Sequence, residues 1–486
     1  MTYNSINFMN NKENKIDNLV KGKKVLVAGL GILGGGLATT NWFLKHGSLV
    51  TVTDLKKESE LKISLNKIRP HKQKVKYTLG KHVMTDFKNN ELIVVNPGMP
   101  LESPYLQVSR NSKRQIENEA SLFFKFNTNP IVAVTGTRGK TTTVNWIGHI
   151  LKRKNASTII GGNSSDVPML SFLDNLKDGQ SVVLELGAWQ LELVKENGPR
   201  VAVITNLYPD HLNRYGTMKA YAKSKANIFK SQGKNDYLIL NKDNPWTKFF
   251  LTLKPKSQLY FTSLKKLPKS LNGLYVSGQK LFFQENNKII KLLDIKDFRN
   301  NWGEHNLMNL LEAMLATHLY GLAWTDIKSA IKDLPQINLR QEIVYKKNGL
   351  TIINDSAGTS PDATIAALKR FSRTGVNLIL LTGGTNKNLD YEDLAKTIKA
   401  NLPINNLILL NGSGTRELIE SLYSIHYSSS YLVLENLDDC LKGALVRLKG
   451  KNNIILFSPG CASFEKFKNE FDRGAKFNET VKKLLN

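Results

Sequence analysis

Residues 132–143 read VAVTGTRGKTTT, an apolar run that passes into glycines, a lysine and consecutive threonines. Glycines free backbone N–H groups to face phosphate oxygens, a lysine brings a mobile cation, and a threonine hydroxyl can ligate Mg2+. A common phosphate loop keeps four residues between its first glycine and Gly-Lys-Ser/Thr. Here Val134 occupies that first-glycine slot, and Arg138 stands in the middle of the loop. What remains, Gly136, Thr137, Arg138, Gly139, Lys140, Thr141 and Thr142, sits between a predicted strand and a predicted helix. The plainer alternative is a structural glycine turn with a chance Gly-Lys-Thr.

Two further groups stand just past strand-like runs. Glu185 follows SVVLEL, and Asp210 with His211 follows VAVITNL. Open α/β sheets place their ligands at such strand ends. A carboxylate and an imidazole beside a triphosphate could hold metal, the histidine pointing to a second site distinct from the oxygen-only kind usual for Mg2+. Each residue alone is more often an ordinary polar group; with the loop they form a phosphoryl-transfer constellation. Nearer the N-terminus, Gly29, Gly31 and Gly34 follow the strand-like KVLVA and open a helix, with Asp54 closing the next strand. That is a dinucleotide-type fingerprint, in which backbone approaches phosphate at a helix N-terminus. Tight strand–helix packing without a ligand is its duller reading, and the extra Gly35-Gly36 is unusual.

The elements that must position these groups follow from the texture of the chain. A length of 486 residues exceeds one core, and short apolar runs alternate with helical stretches throughout, which implies parallel sheets. The expected fold is α/β in three domains. Residues 1–128 form a Rossmann-like unit and 129–337 a P-loop-type parallel sheet with an inserted β-rich patch at 258–298. Residues 338–486 form a second Rossmann-like unit. Residues 124–130 and 331–344 read as connectors. Two distant cysteines, Cys440 and Cys461, argue against a disulfide framework. No apolar run suits a signal peptide or a membrane span, so a cytoplasmic location is expected. The net charge of +27 is spread along the chain. Without a nucleic-acid-binding signature it suits anionic small substrates better than nucleic acid.

In order, GTRGKTTT, ELGAWQLE, NLYPDHLNRYGTMKAYAKSKANIF, GEHNLMN, INDSAGTSPDATIAAL, GGTNKNLDY and SPGCASFEKFKNEFDRG resemble the motifs of the Mur ligases over nearly the whole chain. The last three are most similar to the D-glutamate-adding branch. The resemblance implies ATP-dependent joining of glutamate to UDP-N-acetylmuramoyl-L-alanine through an acyl phosphate, in peptidoglycan synthesis; a monomer is expected. Gly31, Leu33, Asp54, Leu55 and Lys56 would lie at the uridine, and Asn96, Pro97, Gly98 and Asn163 at the diphosphate and muramoyl parts. Lys140 would act in catalysis, and Thr141, Glu185 and His211 would bind two Mg2+ ions, with Lys225 carbamylated beside them. Asn306, Asn309, Arg340 and Asp355 would bracket ATP. Thr359, Lys387, Ser463, Phe464 and Phe471 would hold the glutamate.

Several positions depart from that pattern. Arg138 replaces the usual asparagine, Gly187 and Ala188 replace two serines, Ala357 replaces a lysine, and Glu470 replaces an aromatic. Most of these touch the acceptor and amino-acid sites, which leaves ATP-driven ligation firmer than the identity of the amino acid. Competing expectations are L-glutamate addition, folate polyglutamylation, and a non-catalytic nucleotide-sugar-binding relative. A simple dehydrogenase would leave two of the three nucleotide-like sites idle.

Overall fold

Strands such as KVLVA, IVAVT and VVLE are apolar at nearly every position because parallel strands are covered on both faces. The computed structural model describes residues 16–32, 34–68, 75–163, 167–403, 405–427 and 430–485. Leu33 lies outside them. These strands build three sheets.

The first sheet is all parallel, in the spatial order Lys76–Leu79, Leu49–Asp54, Lys24–Ala28, Leu92–Val95, Gln115–Glu117. Strand order reverses beside Lys24–Ala28, the kind of switch point where α/β sheets open a crevice. The helix Gly35–Lys45 packs closely there: a Cβ on Gly36 would collide with the carbonyl oxygens of Gly29 and Leu30. The extra glycine is therefore a packing requirement.

The second sheet has nine strands, from Ile159–Gly162 at one edge through Val182–Glu185, Ile131–Thr135, Val201–Ile204, Tyr237–Asn241 and Gln258–Ser263 to Gly273–Ser277, all parallel. The antiparallel pair Lys280–Glu285 and Lys288–Asp294 completes it. The β-rich patch expected as an insertion is thus the continuation of the central sheet. Only its last strand, Lys288–Asp294, lies at the sheet edge and is largely exposed, while Gln258–Ser263 and Gly273–Ser277 are mostly buried.

The third sheet runs Glu342–Lys347, Leu350–Asn354, Asn453–Phe457, Asn377–Thr382, Leu407–Leu410, Tyr431–Leu434, parallel except for its first strand. Two of the expected connectors are shorter than their sequence suggests. Residues 124–126 finish the helix Glu119–Phe126, and Glu342–Lys347 is that antiparallel edge strand.

The chain divides into two compact units, Met1–Ile295 with Met308–Leu334, and Lys296–Leu307 with Pro335–Asn486. In the first unit, one buried apolar cluster joins the first two sheets, running from Val25, Trp42 and Phe123 to Ala133 and Leu184. A polar knot backs it. Asp174 accepts from Trp42 Nε1 at 2.9 Å and Lys45 Nζ at 2.5 Å, and His46 Nε2 stands 3.1 Å away. Burial alone would raise the Asp174 carboxyl, but His46, Lys45 and Trp42 together hold it well below the usual range. In the second unit, separate apolar clusters cover the third sheet, one including Phe371 and Leu418, the other Cys440 and Phe477.

Candidate active site

The phosphate-type loop leaves the carboxyl end of Ile131–Thr135, and Lys140 opens the helix Lys140–Lys154. Its shape is fixed by the neighbouring strand end. Thr205 Oγ1 donates to Arg138 O at 2.7 Å, Arg138 N donates to Asn206 Oδ1 at 2.9 Å, and Thr137 N donates to Asn206 O at 3.0 Å. Gly139 holds φ +82°, and Cβ atoms on Gly136 or Gly139 would collide with Thr205 Oγ1 and Asn309 Oδ1. The spacing that looks irregular in the sequence is therefore a tight loop seated on Thr205, Asn206 and Asn309. None of the first two was singled out by sequence reasoning, because their signal is only a short polar pair after a strand.

Arg138 has a structural account. Its guanidinium lies 5.0 Å over the Tyr208 ring, a cation–π arrangement worth about 0.5–1 kcal/mol at an exposed site. Lys140 Nζ donates to Thr137 O at 3.0 Å.

Lys225 comes to the same place from the helix Met218–Lys230. Its buried ammonium donates to Gly136 O at 2.7 Å and Thr135 Oγ1 at 3.4 Å, over the Tyr221 ring. Burial first, and then the Lys140 charge, push the Lys225 amine well below the ordinary lysine range, against the pull of Asp210 and Glu185. Glu185 is buried at the end of Val182–Glu185, with Asn163 Nδ2 3.4 Å from its Oε1. His211 is exposed, caps the short helix Leu212–Tyr215 in left-handed conformation, and meets the Trp189 ring edge-on at 5.0 Å. Loop, Glu185 and Lys225 are thus brought together around adjacent strand ends. Among the described residues no three of His, Cys, Asp and Glu gather into a metal cluster. Mg2+ commonly uses one or two carboxylates plus substrate phosphates rather than an all-protein cage. The Thr141 hydroxyl and Glu185 carboxylate beside a glycine cradle suit that hard cation.

The Gly187 departure is also legible. A Cβ there would stand 2.9 Å from Trp189 Cε2 and 3.1 Å from Asn163 Oδ1. The indole fills the space a serine would need. Gly187→Ser is expected to lower kcat about tenfold by displacing Asn163 and Trp189, and separately to cost about 1–3 kcal/mol of stability by overpacking. Adding Trp189→Phe should recover most of the loss. Steady-state rates of both variants check this, and an unimpaired single variant would refute it.

In the first sheet, Asp54 braces the glycine loop. Its carboxylate accepts from Gly31 N and Lys56 N, each at 2.9 Å. Asn96 Nδ2 donates to Gly29 O at 3.1 Å, and Gly98 N donates to Asn96 Oδ1 at 3.3 Å. These residues converge at the switch point. Leu55 is left exposed beside them, and Pro97 O accepts from Arg214.

Asn309 falls in the first unit, where its Oδ1 lies 3.5 Å from Thr143 Oγ1. Asn306, Arg340 and Asp355 fall in the second. Asn306 Nδ2 donates to Trp302 O at 3.0 Å. Asp355 is buried, accepting from Ser458 Oγ at 2.7 Å and Gln341 N at 3.1 Å, and burial raises its carboxyl to about 7 against the pull of Arg340. Its carboxylate is therefore engaged within its own unit.

Lys387 Nζ donates to Thr359 Oγ1 at 3.3 Å, which brings those two together. Ser463 is buried with an Oγ that has no hydrogen-bond partner, while Phe464 and Phe471 are exposed. Arg473 was missed in the sequence. Fully buried, it donates to Ser356 Oγ at 3.1 Å, Ser356 O at 2.8 Å, Cys461 O at 3.1 Å and Ala462 O at 2.9 Å. It ties the loop after Leu350–Asn354 to the loop carrying Ser463. Its signal was its place in the motif SPGCASFEKFKNEFDRG, where it was not singled out.

Known proteins bear on this arrangement. A Mur ligase middle-domain model matches residues 134–317, and a MurD-like N-terminal-domain model matches residues 23–117. A UDP-N-acetylmuramoylalanine–D-glutamate ligase of Roseiflexus sp. (strain RS-1) is 34% identical over 95% of this chain and 98% of its own. The enzyme of that name from Clostridioides difficile (strain 630) is 32% identical over 96% and 99%. Among solved structures, UDP-N-acetylmuramate-alanine ligase MurC of Thermotoga maritima shares the fold with a TM-score of 0.58 at 19% identity, covering 95% of this chain and 99% of its own. The chain belongs to the Mur ligase family, among its UDP-N-acetylmuramoylalanine–D-glutamate ligases.

Proposed function

We propose that the chain joins D-glutamate to the alanyl carboxylate of UDP-N-acetylmuramoyl-L-alanine, with ATP hydrolysed to ADP and phosphate, in the synthesis of peptidoglycan precursor. The observation that carries this reading is 34% identity over 95% of the chain to a D-glutamate ligase, in a chain that gathers Lys140, Glu185 and Lys225 around one phosphate-type loop. Domain limits at 128/129 and 337/338 are proposed, for the UDP part, ATP and the amino acid in turn.

The chemistry proceeds in two displacements. A carboxylate oxygen attacks the γ-phosphorus of ATP, ADP leaves, and the acyl phosphate forms. The glutamate amine, having lost a proton, attacks the acyl carbon and expels phosphate. Backbone N–H groups at the start of the helix Lys140–Lys154 and the Lys140 ammonium would face the phosphoryl group, where charge spreads over its oxygens. Thr141, Glu185, His211 and a carbamylated Lys225 would hold two Mg2+ ions, which when bound supply further charge neutralisation. A metal-bound His211 would be a poor base, so it is assigned as a ligand. Lys387, Thr359 and the unpartnered Ser463 hydroxyl would receive the glutamate, with Arg473 holding their loops in register.

A UDP-linked substrate supports a cytoplasmic location; no described helix is long and apolar enough to cross a membrane. Phosphate release with UDP-N-acetylmuramoyl-L-alanine and ATP, comparing D- with L-glutamate, tests the reading. Release with D-glutamate alone is expected. Release with L-glutamate alone reassigns the amino acid, and release with neither overturns the ligase.

A further inference from the structure

Arg214 sits three residues past His211, on the short helix Leu212–Tyr215. On one side its guanidinium forks onto Glu192, Nε to Oε1 at 3.2 Å and Nη2 to Oε2 at 2.8 Å. Tyr215 OH donates to the same Oε1 at 2.7 Å. On the other side Nη1 donates to Pro97 O, and Nη2 lies 3.4 Å from Met99 O. The side chains of Arg214 and Glu192 are only 18% and 11% exposed, so this pair is shielded from the screening that weakens surface ion pairs. Bidentate guanidinium–carboxylate bonds also fix orientation as well as distance.

The connectivity gives the clamp its meaning. One segment carries both Glu185 and Glu192; another carries both His211 and Arg214. Pro97 and Met99 flank Gly98 on the loop that follows Leu92–Val95 in the first sheet. A single guanidinium therefore ties the loop of the first sheet to the two segments that supply Glu185 and His211 from the second sheet. All of these residues belong to the same compact unit.

We infer that Arg214 is a positioning residue, which with Glu192 and Tyr215 holds the 96–99 loop in register with the strand ends bearing Glu185 and His211. The inference rests on the reading above, in which residues 96–98 meet the diphosphate of the UDP-linked substrate. The clamp then sets where that diphosphate lies relative to the phosphate loop. The phosphate loop itself is anchored by Thr205, Asn206 and Asn309 rather than by the clamp.

Arg214→Lys is the informative variant. An ammonium is a point charge that can serve Glu192 or the two carbonyls, but lacks the planar fork to serve both. KM for UDP-N-acetylmuramoyl-L-alanine is expected to rise about tenfold, with KM for ATP within about twofold of wild type. A tenfold change corresponds to about 1.4 kcal/mol, the scale of one charge-assisted hydrogen bond. Glu192→Gln should behave similarly, and Tyr215→Phe, which keeps the fork, should raise that KM only about two- to threefold. Calorimetric binding of the UDP-linked substrate without ATP, alongside a melting curve, separates positioning from general destabilisation. Unchanged affinity in Arg214→Lys and Glu192→Gln, or equal rises in both KM values, would overturn the inference. A wild-type protein that failed to bind UDP-N-acetylmuramoyl-L-alanine would instead overturn the function on which it rests.

Discussion

Lys140→Ala is expected to lower kcat by about 10²–10³-fold while leaving the melting temperature close to that of wild type. The side chain opens the helix Lys140–Lys154 and its ammonium lies against the loop carbonyl of Thr137, so its removal leaves the loop anchors on Thr205, Asn206 and Asn309 in place. What disappears is a preorganised cation aimed where phosphoryl charge develops, and losing one such group costs about 3–4 kcal/mol in the transition state. Single-turnover phosphate release with saturating substrates measures it. A variant that turned over at the wild-type rate would remove the loop from the chemistry.

Lys225→Met is expected to cost at least about 10²-fold in kcat, with partial recovery on adding millimolar to molar acetate. Burying a lone ammonium is costly, and the Lys225 amine sits beside Gly136 O and near the Lys140 charge. In the proposed carbamate the ammonium first loses a proton, and the amine nitrogen then adds to carbon dioxide and sheds a second, so a cation becomes an anion next to the phosphate loop. A small carboxylate that enters the space left by the side chain supplies the same charge. Lys225→Arg discriminates the alternatives, since it keeps a cation and cannot form the carbamate. Activity near wild type in Lys225→Arg would dismiss the carbamate.

Periodicity and turn chemistry made the strands legible: KVLVA, VAVT and NLILLT are buried runs bounded by glycine or polar turns, and each is a parallel strand. The loop at 136–142 was equally plain, because phosphate chemistry demands those residue types in one short segment. The edge strands were harder. Lys280–Glu285 and Lys288–Asp294 alternate irregularly, with a register shift between Leu281 and Phe282, and nothing local says which sheet they extend. Residues that work over long sequence separations were least visible. Arg473 reaches back 117 residues to Ser356, and Arg214 reaches back 117 residues to Pro97. Asp54 was legible as a position, while its bonds to Gly31 N and Lys56 N, which brace the glycine loop, were not. Gly187 made physical sense only once the Trp189 ring was placed beside it.

The open margin of the central sheet gives the high positive charge a colloidal role. Lys288–Asp294 ends the nine-strand order with Ile289 and Ile290 exposed between Lys288 and Lys291. An unpaired backbone edge carrying isoleucines would template pairing between molecules, and lysines along it oppose that by repulsion and by the cost of stripping their water. On a chain carrying +27, two such edges meet as like charges. Lysines along that strand would oppose pairing between molecules at Ile289 and Ile290.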